Sequence, residues 1–238
     1  MKNIFLLPGL DGSGVILQKL SEALTRLGMR VFVVSYPKED SYNYEDYANY
    51  VKNYINECIG VEQSFSVFAE SFGGPIIPLL YKSLHSRIEK IIFCASFVTN
   101  PMVGARVLKF FNKSIQASRI SSLAYMVNFL GLNPSSDAVE IFNKAQQGLT
   151  DSLVRARINE VLSLSNSGKE LAHFNNISTP ILYIQARYDT VVLPKGYFSL
   201  KRLNPHTKLK VLNSSHLVSY VQSHKVAEEI YYFLNDIV

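Results

Sequence analysis

The chain of 238 residues contains no tryptophan, only two cysteines and no long apolar run. Cys58 and Cys94 cannot supply a disulfide framework, so we expect two reduced structural thiols. No group of Cys and His has metal-ligand spacing, so we expect no metal site. A membrane helix needs roughly 18 apolar residues, and no segment reaches that length. The apolar stretch before Pro8 is too short for a signal peptide, and we therefore expect a cytoplasmic protein without a membrane span.

The charge and the glycine pattern give no support for nucleic-acid binding or for nucleotide binding. The chain has 24 Lys and Arg against 19 Asp and Glu, a net charge of +5, but no nucleic-acid-binding motif accompanies the excess. A solvated basic surface explains most of these charges, so no nucleic-acid partner is expected. Gly9, Gly12 and Gly14 resemble a phosphate loop, but no GK[ST] sequence follows them. We therefore expect no bound nucleotide.

Strands and helices alternate through the first hundred residues. Short, continuously apolar runs predict strands, and apolar residues at helical spacing predict helices between them. The predicted strands are 3–7, 30–34, 64–69, 90–95, 181–184 and 209–212, and the main predicted helices are 15–27, 44–59 and 218–237, with another after residue 75. This alternation predicts an α/β fold, with a mostly parallel sheet and helices on both faces.

The alternation stops in the middle of the chain. Between residues 97 and 174 no run resembles a strand, and helical patches are predicted at 103–111, 115–130, 137–148 and 152–164. At 238 residues, the chain can form one domain carrying an insertion. We therefore expect a core formed by residues 1–96 and 175–238, with a helical insertion at 97–174.

A serine follows the third predicted strand directly. The apolar run 65–69 leads into Ser71-Phe72-Gly73-Gly74, after which a helix is predicted. A strand that turns sharply into a helix around one serine is typical of a nucleophile elbow, in which small neighbours let the two backbones pass closely. Ala69 stands where glycine is usual. An ordinary serine-glycine turn is the alternative, so Ser71 becomes a convincing nucleophile only if an acid and a histidine follow in order.

Both partners follow, each just past a predicted strand. Asp189 comes after the strand at 181–184, and His216 comes after the strand at 209–212. The histidine would take the proton of Ser71, and the aspartate would hold the imidazole and stabilise its charged form. Asp189 could alternatively cap the next helix. The positions of the other four histidines suit surface or insertion residues: His85, His173, His206 and His224.

A glycine-rich loop after the first strand completes the candidate site. Catalysis of this kind needs two backbone N–H groups directed at the developing oxyanion. Phe72, next to the nucleophile, would supply one, and Leu10, just after Pro8-Gly9, would supply the other. Asp11 and Ser13 are expected to hydrogen-bond within this turn. Glu70 is given no chemical step, and a structural pairing with a nearby cation is expected for it.

The stretches 6–14 and 69–75 resemble the α/β-hydrolase superfamily, in particular a bacterial carboxylesterase-like branch similar to pimeloyl-carrier-protein methyl ester esterases. The resemblance extends over nearly the whole chain, with Ala186 and Pro8 where the family has glycine and histidine. It implies an α/β-hydrolase fold with the insertion as a cap over Ser71. It also implies a cofactor-free serine hydrolase that cleaves a small acyl ester or thioester, with a methyl ester on acyl carrier protein as a narrower possibility.

The insertion bears on the choice of substrate. Residues 97–170 contain eight Lys and Arg against five acids, so a basic cap could dock an acidic carrier protein, with Arg155 and Arg157 as contacts. An equal alternative is that these basic residues simply lie on the solvent-facing sides of amphipathic helices and bind no partner. Its apolar residues could line an acyl pocket or form the core of the cap: Phe97, Met102, Phe110, Phe111, Tyr125, Met126, Phe129 and Phe142. A non-catalytic ligand-binding protein and an acyltransferase remain the other two hypotheses.

Overall fold

The computed structural model describes residues 1–101, 130, 134–165 and 168–237. Its centre is a six-stranded sheet in the order β2-β1-β3-β4-β5-β6, in which every pair of neighbours is parallel. The strands are β1 (Asn3–Leu7), β2 (Arg30–Val33), β3 (Phe65–Glu70), β4 (Ile88–Cys94), β5 (Ile181–Ala186) and β6 (Lys208–Leu212). The predicted α/β class and parallel sheet are therefore confirmed.

Eight α-helices are defined within the described residues. They are α1 (Gln18–Arg26), α2 (Tyr44–Ile59), α3 (Ile76–Leu84), α4 (Ser136–Gln146), α5 (Asp151–Ser163), α6 (Lys195–Leu203), α7 (Val218–Val221) and α8 (Ser223–Leu234). Helix α2 has the bounds that its sequence predicts. It starts at a capping box, in which the Asn43 side chain accepts from the Asp46 N–H and the Asp46 carboxylate accepts from the Asn43 N–H.

Helices cover both faces of the sheet. Successive strand residues point to opposite faces, so Phe5 and Leu7 pack against α2 and α3, while Ile4 and Leu6 pack against α1 and α8. The residues of the central strands β1, β3 and β5 are mostly buried, whereas the edge strands β2 and β6 are partly or largely exposed. This arrangement explains the continuous apolar runs of the central strands, because a strand that is covered on both sides has no solvent-facing positions.

The insertion is helical where it is described. Residues 136–163 form α4 and α5, residues Lys169–Phe174 form a 3₁₀ helix, and no strand occurs among the described residues between β4 and β5. The predicted patch at 103–111 and nearly all of the patch at 115–130 lie outside the described residues. In the described part, α4 packs beside the loop that follows β1, on the side of the sheet where the strands end.

Two details of the helices differ from the sequence prediction. The last helix is not continuous, because Gln222 adopts a non-helical conformation between α7 and α8, and its side-chain amide donates a hydrogen bond to the Asn213 carbonyl. Helix α6 has no counterpart among the helices whose bounds the sequence predicts. Both cysteines are free, as expected. Within the described ranges no helix is long and apolar enough to cross a bilayer.

Candidate active site

Ser71 lies at the carboxyl end of β3, on the turn that leads into α3. It has a left-handed backbone, with φ at +48°, and begins a short 3₁₀ turn over Ser71–Gly73. The turn packs closely against the loop after β1: a Cβ added to Gly73 would lie only 2.9 Å from the Pro8 carbonyl oxygen. Glycine is therefore required at 73 for the close approach of the two backbones. The geometry is that of the predicted nucleophile elbow.

The structure brings the predicted aspartate and histidine to this serine. His216 Nε2 lies 3.0 Å from Ser71 Oγ, and His216 Nδ1 lies 2.8 Å from Asp189 Oδ2. The other carboxylate oxygen of Asp189 accepts the backbone N–H groups of Val191 and Val192, each at 2.8 Å. The three side chains meet because parallel strands end at the same edge of the sheet, and each of them follows one of those strands.

The environment of His216 favours a basic imidazole. Burial opposes the charged ring, but the negative charge of Asp189, its hydrogen bond and the charge of Glu70 together raise the pKa of His216 above its ordinary value of 6.5. His216 is 1% exposed. The other four histidines, by contrast, are all exposed at the surface. Among the five, His216 is the one that is buried and within hydrogen-bonding distance of Ser71.

The loop after β1 lies on the other side of the serine. Gly9, Leu10 and Phe72 line the same cavity as Ser71 and His216, as the predicted oxyanion pair requires. The Asp11 carboxylate accepts the N–H of Ser13 at 2.9 Å and also its hydroxyl, so the turn role expected for these residues is confirmed. Burial raises the pKa of Asp11, although the Ser13 hydrogen bonds and the charge of Arg157 act against this rise.

Glu70 has a different partner from the one expected. It is 1% exposed and accepts a hydrogen bond from the hydroxyl of Ser219, which is itself completely buried. Within the described residues its partner is thus a hydroxyl and not a cation, and the expected ion pairing is wrong. Burial raises the pKa of Glu70 to about 7. Sequence reasoning missed Ser219, although its spacing of three residues from His216 places it near the same site.

The two arginines proposed as carrier contacts lie on α5 but differ in exposure. Arg155 is exposed, whereas Arg157 is 1% exposed and points into the protein. Arg157 donates to the Leu10 carbonyl at 2.7 Å, the Pro37 carbonyl at 3.2 Å and the Tyr47 hydroxyl at 3.2 Å. A buried guanidinium cannot meet a docking protein, so the prediction for Arg157 is corrected. Four other basic residues of the insertion lie outside the described residues: Arg106, Lys109, Lys113 and Arg119.

The cavity above Ser71 is mainly apolar. It encloses about 100 Å³, and among the described residues its apolar side chains are Leu10, Ile16, Phe72, Phe97, Pro101, Phe142, Ala145, Leu149, Val154, Ile158, Val161, Val191, Val192 and Leu217. Phe97 and Phe142 both line this cavity, and Phe142 also packs in a buried apolar cluster with Ile16 and Tyr220. The other apolar residues named for the acyl pocket lie outside the described ranges: Met102, Phe110, Phe111, Tyr125, Met126 and Phe129. In the part of the chain that is described, no three Asp, Glu, His or Cys form a metal-binding group.

Solved structures with similar folds cover nearly the whole chain. An esterase from Exiguobacterium antarcticum is 15% identical with a TM-score of 0.81, covering 99% of this chain and 92% of its own. A lipase-esterase related protein from Clostridium acetobutylicum is 16% identical with a TM-score of 0.79, covering 98% and 94%. A thermophilic esterase from Thermogutta terrifontis is 15% identical with a TM-score of 0.74, covering 100% and 90%.

Sequence comparison gives the family. No curated protein matches the chain. The family model described as alpha/beta hydrolase fold matches residues 2–222, which include the loop after β1, the elbow, Asp189 and His216. The match extends over far more than half of the chain, so this protein belongs to the alpha/beta hydrolase fold family.

Proposed function

We propose that the protein is a carboxylic ester hydrolase in which Ser71, His216 and Asp189 act as a catalytic triad. The observation that carries the proposal is the continuous hydrogen-bonded chain from the Asp189 carboxylate through His216 to Ser71 Oγ. A serine hydroxyl is a weak nucleophile at neutral pH and needs such a base in contact with it. The esterases among the structures of similar fold support the same reaction class.

The first half of the reaction is acylation of Ser71. Its Oγ attacks the ester carbonyl carbon while His216 Nε2 takes the hydroxyl proton. The carbonyl oxygen becomes an oxyanion, which the backbone N–H groups of Leu10 and Phe72 stabilise by hydrogen bonding. When the tetrahedral intermediate collapses, the C–O bond to the alcohol breaks and His216 returns the proton to the departing alkoxide. The products of this half are an alcohol and an acyl-serine ester.

The second half is hydrolysis of the acyl-enzyme. His216, again neutral, takes a proton from a water molecule, whose oxygen attacks the acyl carbon. The same two N–H groups stabilise the second oxyanion, and collapse releases the carboxylic acid as Ser71 recovers its proton. Asp189 keeps the histidine in the required tautomer throughout and stabilises the imidazolium that forms in both halves.

The lining of the cavity supports a neutral substrate with an apolar acyl group. The described lining is predominantly aliphatic and aromatic, and its acidic members are Asp11 and Glu70, beside Ser71. No Lys or Arg occurs among the described residues that line the cavity. A substrate carboxylate would therefore meet apolar surface and two acidic side chains, and the loss of its hydration would be uncompensated. Oxygen esters and thioesters of apolar acids both fit this description.

A methyl ester carried by acyl carrier protein is the narrower version of this proposal. In this version, the exposed Arg155 would contact the acidic carrier protein. Arg157 is buried and is no longer proposed as a carrier contact. An insertion that covers the cavity as a cap belongs to the same proposal, because α4 and α5 contribute Phe142, Val154 and Ile158 to the cavity wall.

Fluorophosphonate labelling tests the proposed function directly. The reagent phosphonylates activated serines, so intact-mass analysis of the wild-type protein should show one adduct. Ser71→Ala lacks the nucleophile and His216→Ala lacks the base, so neither should be labelled at a comparable rate. Hydrolysis of p-nitrophenyl esters and acyl thioesters should be lost in the same two variants. A folded wild-type protein that takes up no label would refute the proposal and point to a ligand-binding member of the family.

A further inference from the structure

We propose that Arg157 is a positioning residue, which ties the insertion to the oxyanion-binding groups and sets the rate of the chemical step. The inference rests on the proposed ester hydrolysis. Arg157 projects from α5, yet its guanidinium is buried beneath the loop that follows β1. Its Nη1 donates to the carbonyl of Leu10, the residue whose N–H is proposed to bind the oxyanion.

The guanidinium of Arg157 packs tightly against the loop that follows β1. A Cβ on Gly12 would lie 2.6 Å from Arg157 Nη1, and Gly12 has a φ of +68°, so only glycine leaves room for the arginine. The second amino group donates to the Pro37 carbonyl. Since hydrogen bonds from a charged donor are stronger and more directional than neutral ones, the fork holds two chain segments in a defined relative position. The orientation of the Leu10 peptide groups therefore depends on Arg157.

Arg157 also supports the second oxyanion residue through an aromatic cluster. Its guanidinium carbon lies 5.7 Å from the centre of the Tyr47 ring, and its Nε donates to the Tyr47 hydroxyl. Tyr47 packs edge-on against the Phe72 ring at 5.6 Å. The Tyr36 ring lies 6.0 Å from the guanidinium carbon of Arg157 and 6.3 Å from the Phe72 ring. Its hydroxyl donates a hydrogen bond to the Pro8 carbonyl. One side chain thus reaches Leu10 directly and Phe72 through two rings.

This placement predicts an effect on the transition state more than on substrate binding. Arg157 is not among the residues that line the cavity, so its loss removes no substrate contact. Loss of an oxyanion donor costs about 10²–10³ in kcat. Because Arg157 acts on that donor through the backbone, we expect at least a 10-fold fall in kcat for Arg157→Met, with KM changed less than about threefold. Arg157→Lys keeps the charge but not the fork, and should recover only part of the rate.

The experiment compares these variants with the wild type in ester hydrolysis, fluorophosphonate labelling and binding of a boronic acid. A boronic acid forms a tetrahedral adduct with an active serine, so its affinity should fall in parallel with kcat while KM stays nearly constant. Tyr47→Phe removes only one acceptor of Arg157 and serves as a milder variant, with a smaller fall in the same direction. Ile230→Ala, on the opposite face of the sheet, is the control for lost stability alone.

The outcomes separate the two proposals. Unchanged kcat and boronic acid affinity in folded Arg157→Met, Arg157→Lys and Tyr47→Phe would overturn the positioning role while leaving ester hydrolysis intact. A fall in kcat that Ile230→Ala reproduces at equal loss of melting temperature would also overturn it. A wild-type protein that neither hydrolyses esters nor takes up the phosphonate would instead refute the proposed function, and the positioning role with it.

Discussion

Replacing Glu70 by glutamine removes a buried negative charge beside His216 while keeping the size of the side chain. The side-chain carbonyl of the introduced glutamine can still accept the Ser219 hydrogen bond that Glu70 accepts. The charged and titratable groups that influence Glu70 are His216, Asp11 and Asp189, and the two aspartates oppose its ionisation. The substitution therefore isolates the effect of ionising Glu70 in a site that is already acidic.

The magnitude follows from the pKa of Glu70. Burial raises it from 4.5 to about 7 in the folded protein, so ionisation costs roughly 3 kcal/mol more in the folded than in the unfolded chain. Below pH 4.5 the carboxyl is protonated in both states and this cost is absent. As the pH rises towards 7, the unfolded chain ionises first and the wild-type protein loses stability. Above pH 7 the full cost applies.

The assay is urea unfolding of wild type and Glu70→Gln between pH 4.5 and 8.5. The difference in the free energy of unfolding should shift in favour of the variant by up to roughly 3 kcal/mol over this range, with most of the change complete by about pH 7. Glu62→Gln, at an exposed carboxyl, is the matched control and should show no comparable change. A Glu70→Gln difference that is the same at pH 4.5 and pH 8.5 would refute the reasoning. In activity assays, the Glu70 charge raises the pKa of His216 only where Glu70 is ionised. Glu70→Gln should therefore move the acidic limb of kcat/KM to lower pH only as far as that limb lies near or above pH 7.

Three further predictions concern the triad and the carrier. In the wild type, kcat/KM should fall as the pH drops through a His216 pKa above 6.5, because only the neutral imidazole accepts the serine proton. Asp189→Asn should lower kcat by roughly 10³–10⁴-fold with little change in KM and move that limb to lower pH, as stopped-flow or steady-state pH profiles would show. Arg155→Glu should lower kcat/KM about 10-fold for a carrier-linked ester and leave a p-nitrophenyl ester unaffected. Equal effects on both substrates would contradict carrier docking.

The sheet and the triad candidates could be predicted because their signals are local. Most strands contain a short apolar run, and Ser71, Asp189 and His216 each lie within four residues of the end of a strand. Parallel strands bring their ends to one edge, so the positions in the sequence imply proximity in space. The bounds of α2 were predictable for a similar reason, since its capping box and apolar spacing lie within the helix itself.

The supporting contacts could not be predicted because they join distant parts of the chain. Arg157 and Leu10 are 147 residues apart, and Glu70 and Ser219 are 149 apart. A partial signal existed for Arg157, because Leu153, Val154 and Ile158 share its face of α5 and are buried. An arginine on the apolar face of an amphipathic helix indicates a buried partner. The sequence does not reveal that the partner is a carbonyl of the loop after β1.

The conformation of Ser71 shows how the sheet holds the nucleophile. A left-handed backbone at a residue other than glycine costs on the order of 1–3 kcal/mol and persists only where its surroundings enforce it. The Ser96 hydroxyl, just past β4, donates to the Ser71 carbonyl at 2.7 Å, and the Tyr183 hydroxyl on β5 donates to the Ser96 carbonyl at 2.6 Å. One buried hydrogen bond contributes only about 1 kcal/mol, so this relay cannot act alone. Together with the close packing of Gly73 on Pro8, it fixes the strained turn from both neighbouring strands.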